Sequence, residues 1–264
     1  SEMCIRDRLS GMAIGLGLST KWSAAFLIPI LLLLTIKIKE VNLSQILKRV
    51  GQFVFLPMAI YFTSWIGWFI SDKGWARNSG SNPIVSLWNY HLEILNFHTN
   101  LVEKHSYSAN PWSWLVLGRP TSFYYESGDS CGAGECAQEI LAMGTPLLWW
   151  SAIIAVAITI GFYINTSNRS AEIVLAGFVG TYLPWFIFQD RTMFYFYSIT
   201  TLPFLILALI YCFDLLLKYG NYQRVIMLFI FVVAVNFIYF LPIYIGIEIP
   251  YSQWLSRMWL PSWI

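Results

Sequence analysis

Charge is scarce in this sequence of 264 residues: Lys, Arg, Asp and Glu together make up 11%, against about 25% in an ordinary soluble domain. That is too little to cover a water-facing surface. A basic tract is also missing, because 16 Lys and Arg oppose 14 Asp and Glu for a net charge of +2, and this excludes nucleic acid as a partner. The four cysteines and three histidines form no Cys-x-x-Cys or His-Glu-x-x-His spacing, so no metal site is expected. No internal repeat or low-complexity segment stands out. Apolar residues are what the chain has in quantity, 57% of it with 18% aromatic and a mean hydropathy of +0.59. This is the composition of a membrane protein.

A spanning helix needs roughly 20 mostly apolar residues. Five stretches qualify: 52–70, 145–164, 171–188, 194–217 and 225–241. The opening apolar stretch, 9–36, differs because Lys21 interrupts it, and a lysine at mid-bilayer is costly unless it is paired or reaches water. It reads either as one long span with Lys21 facing a polar cavity, or as a hairpin of two short helices, 9–20 and 22–36. The hairpin tip Thr20-Lys21-Trp22-Ser23 would then sit at the interface. Trp22 favours that level, and Gly11, Gly15 and Gly17 suit close helix packing, so the hairpin is preferred.

Orientation follows from the short connections. Lys37, Lys39, Lys48, Arg49, Arg169, Lys218 and Arg224 fall on alternate ones, whereas the opposite short segments hold only Arg191 and Arg257. The cation-rich side is therefore expected to be cytoplasmic. By alternation the loop 71–144, the turn 189–192 and the tail 242–264 lie outside. Cys131 and Cys136, five apart with Gly132 and Gly134 between them, read as a disulfide on that oxidising side.

The expected organisation is thus an opening segment 1–8, membrane helices over 9–70, an extracytoplasmic loop domain over 71–144, four transmembrane helices over 145–241 and an extracytoplasmic tail. The loop holds all three histidines, seven of the acids and many aromatics. Long loops of that composition are folded and functional rather than disordered. Residues 84–98 read as an interfacial amphipathic helix, with Leu87, Trp88, Leu92, Leu95 and Phe97 facing lipid or protein.

The segment Pro111-Trp112-Ser113-Trp114 through Gly118-Arg119-Pro120, followed by Ser122-Phe123-Tyr124-Tyr125-Glu126, resembles the outer loop of bacterial protein O-mannosyltransferases. Thr20-Lys21-Trp22-Ser23, Ser64-Trp65-Ile66-Gly67-Trp68-Phe69, Glu139-Ile140-Leu141-Ala142-Met143-Gly144-Thr145-Pro146, Arg191-Thr192-Met193-Phe194 and Arg257-Met258-Trp259 with Pro261-Ser262-Trp263-Ile264 extend the match in order to the last residue. The resemblance implies an all-α polytopic fold of the GT-C type with a folded outer loop. It implies transfer of mannose, with inversion, from a polyprenyl-phosphate-mannose donor to Ser or Thr hydroxyls of secreted proteins, with membrane lipids as surroundings and no cofactor. Residues 1–8 match no part of the family pattern and read as a join. The family's first outer loop, which supplies the catalytic base, has no counterpart here, so the chain is expected to be a C-terminal portion, inactive alone and without a catalytic residue of its own. A GT-C transferase with a lipid acceptor and a non-enzymatic scaffold or lipid-carrier transporter are the rival readings.

Such chemistry needs cations near the departing phosphate. Lys21, Arg191 and Arg119 are the candidates. For Lys21 the alternative is snorkelling to headgroups, for Arg191 an interfacial anchor paired with Asp190, and for Arg119 a bond to Glu126 or a carbonyl. Trp112, Trp114, Tyr124, Glu126 and His98 are candidates for acceptor contact or loop support.

Overall fold

The computed structural model describes residues 2–35, 42–132 and 134–264, and it divides at Leu101/Val102 into two compact units. Lys37 and Lys39, used above for orientation, lie outside the described residues. The division falls inside the predicted 71–144 loop, because the helix in its first part packs with the membrane helices before it.

In the first unit, α1 (Glu2–Thr20) runs without a break through residue 8, where the sequence suggested a join. Its 19 residues measure about 28 Å at 1.5 Å each, enough to cross the apolar part of a bilayer. Arg49 forms an ion pair with Asp7, so two charges near the helix start neutralise each other. The helix ends at Lys21, whose extended backbone (φ −155°, ψ 127°) excludes a single long span. A 3-10 turn (Trp22–Phe26) and α2 (Leu27–Thr35) fold back, bringing Ala24, Leu27, Ile28 and Leu31 against Ile14, Leu18 and Tyr61.

The chain then rises through α3 (Leu43–Val50), a π-turn (Gly51–Phe55), α4 (Leu56–Ser64) and α5 (Ile66–Ile70), which together form one apolar span. α1 lies parallel to this span. A Cβ on Gly11 would stand 2.0 Å from Gln52 O, and one on Gly15 2.7 Å from Ile60 Cβ, so the glycines are what let the two backbones meet. α6 (Pro83–Asn100) starts at Asn82, whose side chain accepts from the amides of Ile84 and Val85. It buries Ser86 and Leu87 and exposes Trp88, Leu92, Leu95 and Phe97. Of the residues read as facing lipid or protein, Leu87 thus packs against protein and the other four are exposed.

The second unit contains α7 (Pro111–Trp114) and the antiparallel strands β1 (Thr121–Gly128) and β2 (Cys136–Ala142), paired from Thr121 with Ala142 to Gly128 with Cys136. Four helices follow, α8 (Pro146–Thr166), α9 (Arg169–Tyr182, continued as a 3-10 segment to Phe188), α10 (Leu202–Tyr219) and α11 (Gln223–Ile245), each long and apolar enough to span a membrane. The tail adds β3 (Ile249–Pro250) beside β2 and the short α12 (Tyr251–Ser256). The sheet was not expected, although the protein is mostly helical as read.

Candidate functional site

Lys21 occupies the break between α1 and the 3-10 turn, with its side chain exposed. Its amide donates to Gly17 O (2.8 Å) and its carbonyl accepts from Ala24 N (3.1 Å), so the cation is carried on a fixed corner. Beside it, Trp22 Nε1 donates to Tyr61 Oη (3.0 Å), which lies 2.7 Å from His91 Nε2. Trp65 closes the group at 4.9 Å from the His91 ring. His98, on the last turn of α6, is exposed with its ring edge against Phe97.

In the second unit the segment 109–120 is a compact loop whose carbonyls point at indoles. Trp114, with 0% of its surface exposed, donates to Ala109 O, while Trp149 donates to Trp114 O and Trp263 to Leu117 O. Trp114 is therefore buried loop support, whereas Trp112 is 62% exposed. Arg119 directs Nε to Ser106 O (3.1 Å) and Nη1 to the main-chain oxygens of Ser262 and Ile264 (2.7 Å to the latter). Its guanidinium also stacks 5.0 Å from the Tyr107 ring. With those donors committed to carbonyls, Arg119 ties the loop to the tail.

Arg191 is placed differently. It lies in the turn after the α9 segment, half-buried, with its guanidinium 5.9 Å from the Tyr197 ring centre. Its Nε is shielded from water and makes no hydrogen bond. Asp190 is exposed and forms no ion pair with it among the described residues, so the pairing that the alternative reading of Arg191 required is not seen there. Thr192 and Met193 beside it are buried: Thr192 donates to Glu103 O and Met193 O accepts from Ala109 N (2.8 Å). The turn is therefore rigid on one side of a guanidinium that still has a buried donor to give.

Glu126 is not bound to Arg119. It accepts from Tyr124 Oη on the same face of β1, and this bond holds the Tyr124 phenol above its usual pKa. Cys131 and Cys136 are joined by a disulfide at the β1–β2 turn, where Gly132 and Gly134 take φ of +79° and +82°. Glu139 was not singled out from the sequence. It is 3% exposed, accepts from Trp254 Nε1 (2.6 Å), and burial raises its pKa against the opposing pull of the Trp254 and Ser122 bonds. The signal was present in the alternation of β2, which puts residue 139 on the face of Ala137 and Leu141.

Comparison with known proteins bears on this arrangement. A family model described as the C-terminal four TMM region of protein-O-mannosyltransferase matches residues 83–263. The chain is 26% identical over 295 residues to a polyprenol-phosphate-mannose–protein mannosyltransferase of Corynebacterium glutamicum and 28% identical over 294 residues to that of Mycolicibacterium smegmatis. Each match covers 96% of this chain and 57% of the relative, so the chain spans little more than half the length of these relatives. Among solved structures, the Saccharomyces cerevisiae protein O-mannosyltransferase Pmt1-Pmt2 complex bound to the sugar donor shares its fold. The TM-score is 0.58 at 24% identity, over 70% of this chain and 28% of that one.

Proposed function

Because the chain belongs to the protein O-mannosyltransferase family, whose C-terminal membrane region it carries over residues 83–263, we propose that it serves transfer of mannose from a polyprenyl-phosphate-linked donor to Ser and Thr hydroxyls of secreted proteins. The acceptor oxygen forms its bond to the anomeric carbon on the face opposite the phosphate and loses its proton to a carboxylate base. The bond from that carbon to the phosphate oxygen breaks, and the electron pair leaves on the phosphate. The sugar is inverted. The loop 102–144, the turn 189–194 and the tail lie on the extracytoplasmic side, where secreted acceptors are met.

The observation that carries the assignment of this chain's residues is the shielded, unpartnered Nε of Arg191. Negative charge grows on the phosphate as the glycosidic bond breaks, and a guanidinium already held in place interacts more strongly with the transition state than with the bound donor. Lys21 is assigned, on the geometry of its own unit, to the anionic headgroup of the lipid donor. Trp112 is left as the exposed aromatic of the loop for an acceptor segment.

The test is turnover of the full-length enzyme, with the upstream part that supplies the base, in liposomes supplied with polyprenyl-phosphate-mannose and a Ser/Thr-rich peptide. Arg191→Ala is expected to lower kcat by about two to three orders of magnitude, the loss typical of one electrostatic donor, with a smaller change in donor affinity. Arg191→Lys recovers only part, since a point charge replaces a fork. Unimpaired turnover per folded Arg191→Ala molecule would remove Arg191 from the site.

A further inference from the structure

The first unit contains a run of hydrogen bonds with one allowed direction. His91 Nδ1 lies 2.8 Å from Leu87 O, an atom that only accepts, so in the neutral ring Nδ1 carries the proton and Nε2 is the acceptor. Tyr61 Oη, 2.7 Å from Nε2, must then donate to it. Trp22 Nε1 has only a proton to give, and gives it to Tyr61 Oη at 3.0 Å. Each polar atom thus has one role, and the other tautomer would leave Nδ1 facing the Leu87 carbonyl, acceptor to acceptor.

Ring contacts fix the same group sterically. Trp22 stacks on the His91 ring at 5.7 Å and 24°, Tyr61 meets that ring edge-on at 5.7 Å, and Trp65 lies at 4.9 Å. Tyr61 is buried, so its hydroxyl has little water to replace a lost partner. Trp22 directly follows Lys21, the residue whose extended backbone ends α1. The indole is therefore the nearest side-chain anchor for the corner that carries the cation, and three elements meet there: the 3-10 turn, α4 and α6.

We propose that His91 is a positioning residue, which through Tyr61 and Trp22 holds the corner at Lys21 and so the direction of its ammonium group. The proposal rests on the assignment of Lys21 to the donor headgroup, and the experiment separates the two. His91→Phe keeps a ring in the stack and removes the acceptor. Tyr61→Phe keeps the ring and removes the link, and His91→Gln returns an amide oxygen close to the position of Nε2.

Two quantities are measured in proteoliposomes on variants of the full-length enzyme whose folding is checked by their melting transition: kcat/KM for the polyprenyl-phosphate-mannose donor, and the rate at which Lys21 is modified by a water-soluble amine reagent, read by peptide mass spectrometry. His91→Phe and Tyr61→Phe are each expected to lower kcat/KM about tenfold, the scale of one such hydrogen bond, and to change the Lys21 modification rate. His91→Gln should return both to within about twofold, and the double Phe variant should be no worse than either single one, because both interrupt one line of contacts. A wild-type Lys21 modification rate in folded His91→Phe and Tyr61→Phe would overturn the proposal, and Tyr61→Phe decides alone if His91→Phe does not fold. A shifted modification rate together with normal turnover of Lys21→Ala would leave the positioning intact and defeat the headgroup assignment.

Discussion

Glu139 sits in an environment at odds with its chemistry, a carboxyl in the inner face of β2 between Ala137 and Leu141. Burial raises its pKa, which makes its ionisation a stability question. Below the ordinary glutamate value of 4.5 it is protonated folded or unfolded, and the acid does not distinguish the two states. As pH climbs through the raised value, the unfolded chain ionises freely while the folded one must bury the charge, so stability present at low pH is lost. Glu139→Gln keeps an acceptor for Trp254 Nε1 without the charge. It is expected to melt higher than the parent at neutral pH and to match it at about pH 4, as unfolding monitored at both values would reveal. Glu139→Ala should destabilise at both by about 1–3 kcal/mol, because the buried indole N–H loses its partner. A Gln variant less stable than the parent at neutral pH would mean that the carboxylate is needed as such. The candidate cations, by contrast, were legible as residues, but their environments were not. Nothing in Gly118-Arg119-Pro120 announces that the guanidinium meets the carbonyls of Ser262 and Ile264, more than 140 positions away.

Among the elements, the five long spans follow from hydropathy alone, and the corner at Lys21 from one charge in an apolar run. The beginning of α1 did not, since Glu2, Arg6, Asp7 and Arg8 lower the apolar signal that the Asp7–Arg49 pair then compensates in three dimensions. The sheet was illegible for a related reason: β3 has two residues, one of them proline, and pairs with a strand more than a hundred positions earlier. The glycines of α1 were readable, and they yield a quantitative expectation. Gly15→Ala places a methyl group 2.7 Å from Ile60 Cβ and 2.9 Å from Pro57 O, so α1 and α4 must separate. The expected loss is about 1–3 kcal/mol, the range for overpacking a tight contact. Gly51→Ala, in the π-turn where a Cβ would meet nothing within 4 Å, serves as the control and should not destabilise. Equal melting temperatures for the two variants in detergent would refute the close-packed α1–α4 contact.

At the scale of the whole molecule, the sheet constrains the path through the membrane more tightly than hydropathy does. β2 precedes α8 and β3 follows α11, yet Cys136 pairs with Pro250 and Ala137 with Ile249. Trp263 donates to Leu117 O, and Arg119 binds the carbonyls of Ser262 and Ile264. Loop and tail therefore lie on one side, and the chain between them must cross an even number of times, which the four helices α8 to α11 satisfy. Parity does not say which side. The proposed orientation rests on charge: Arg169, Lys218 and Arg224 stand at the far connections, and the partners of the first two, Glu172 and Asp214, weigh little in orienting a helix. The disulfide at the β1–β2 turn belongs with an oxidising compartment and falls on the other side from these cations. Single cysteines introduced at exposed positions decide the matter. Gln189→Cys and Ser252→Cys are expected to react with a membrane-impermeant maleimide added to intact cells, whereas Ser170→Cys and Asn221→Cys should react only after the membrane is opened. Labelling of all four from outside, or of Gln189→Cys and Asn221→Cys together, would contradict the even crossing, and the reverse pattern would preserve the parity and invert the orientation, removing the loop and Arg191 from the side where secreted acceptors are met.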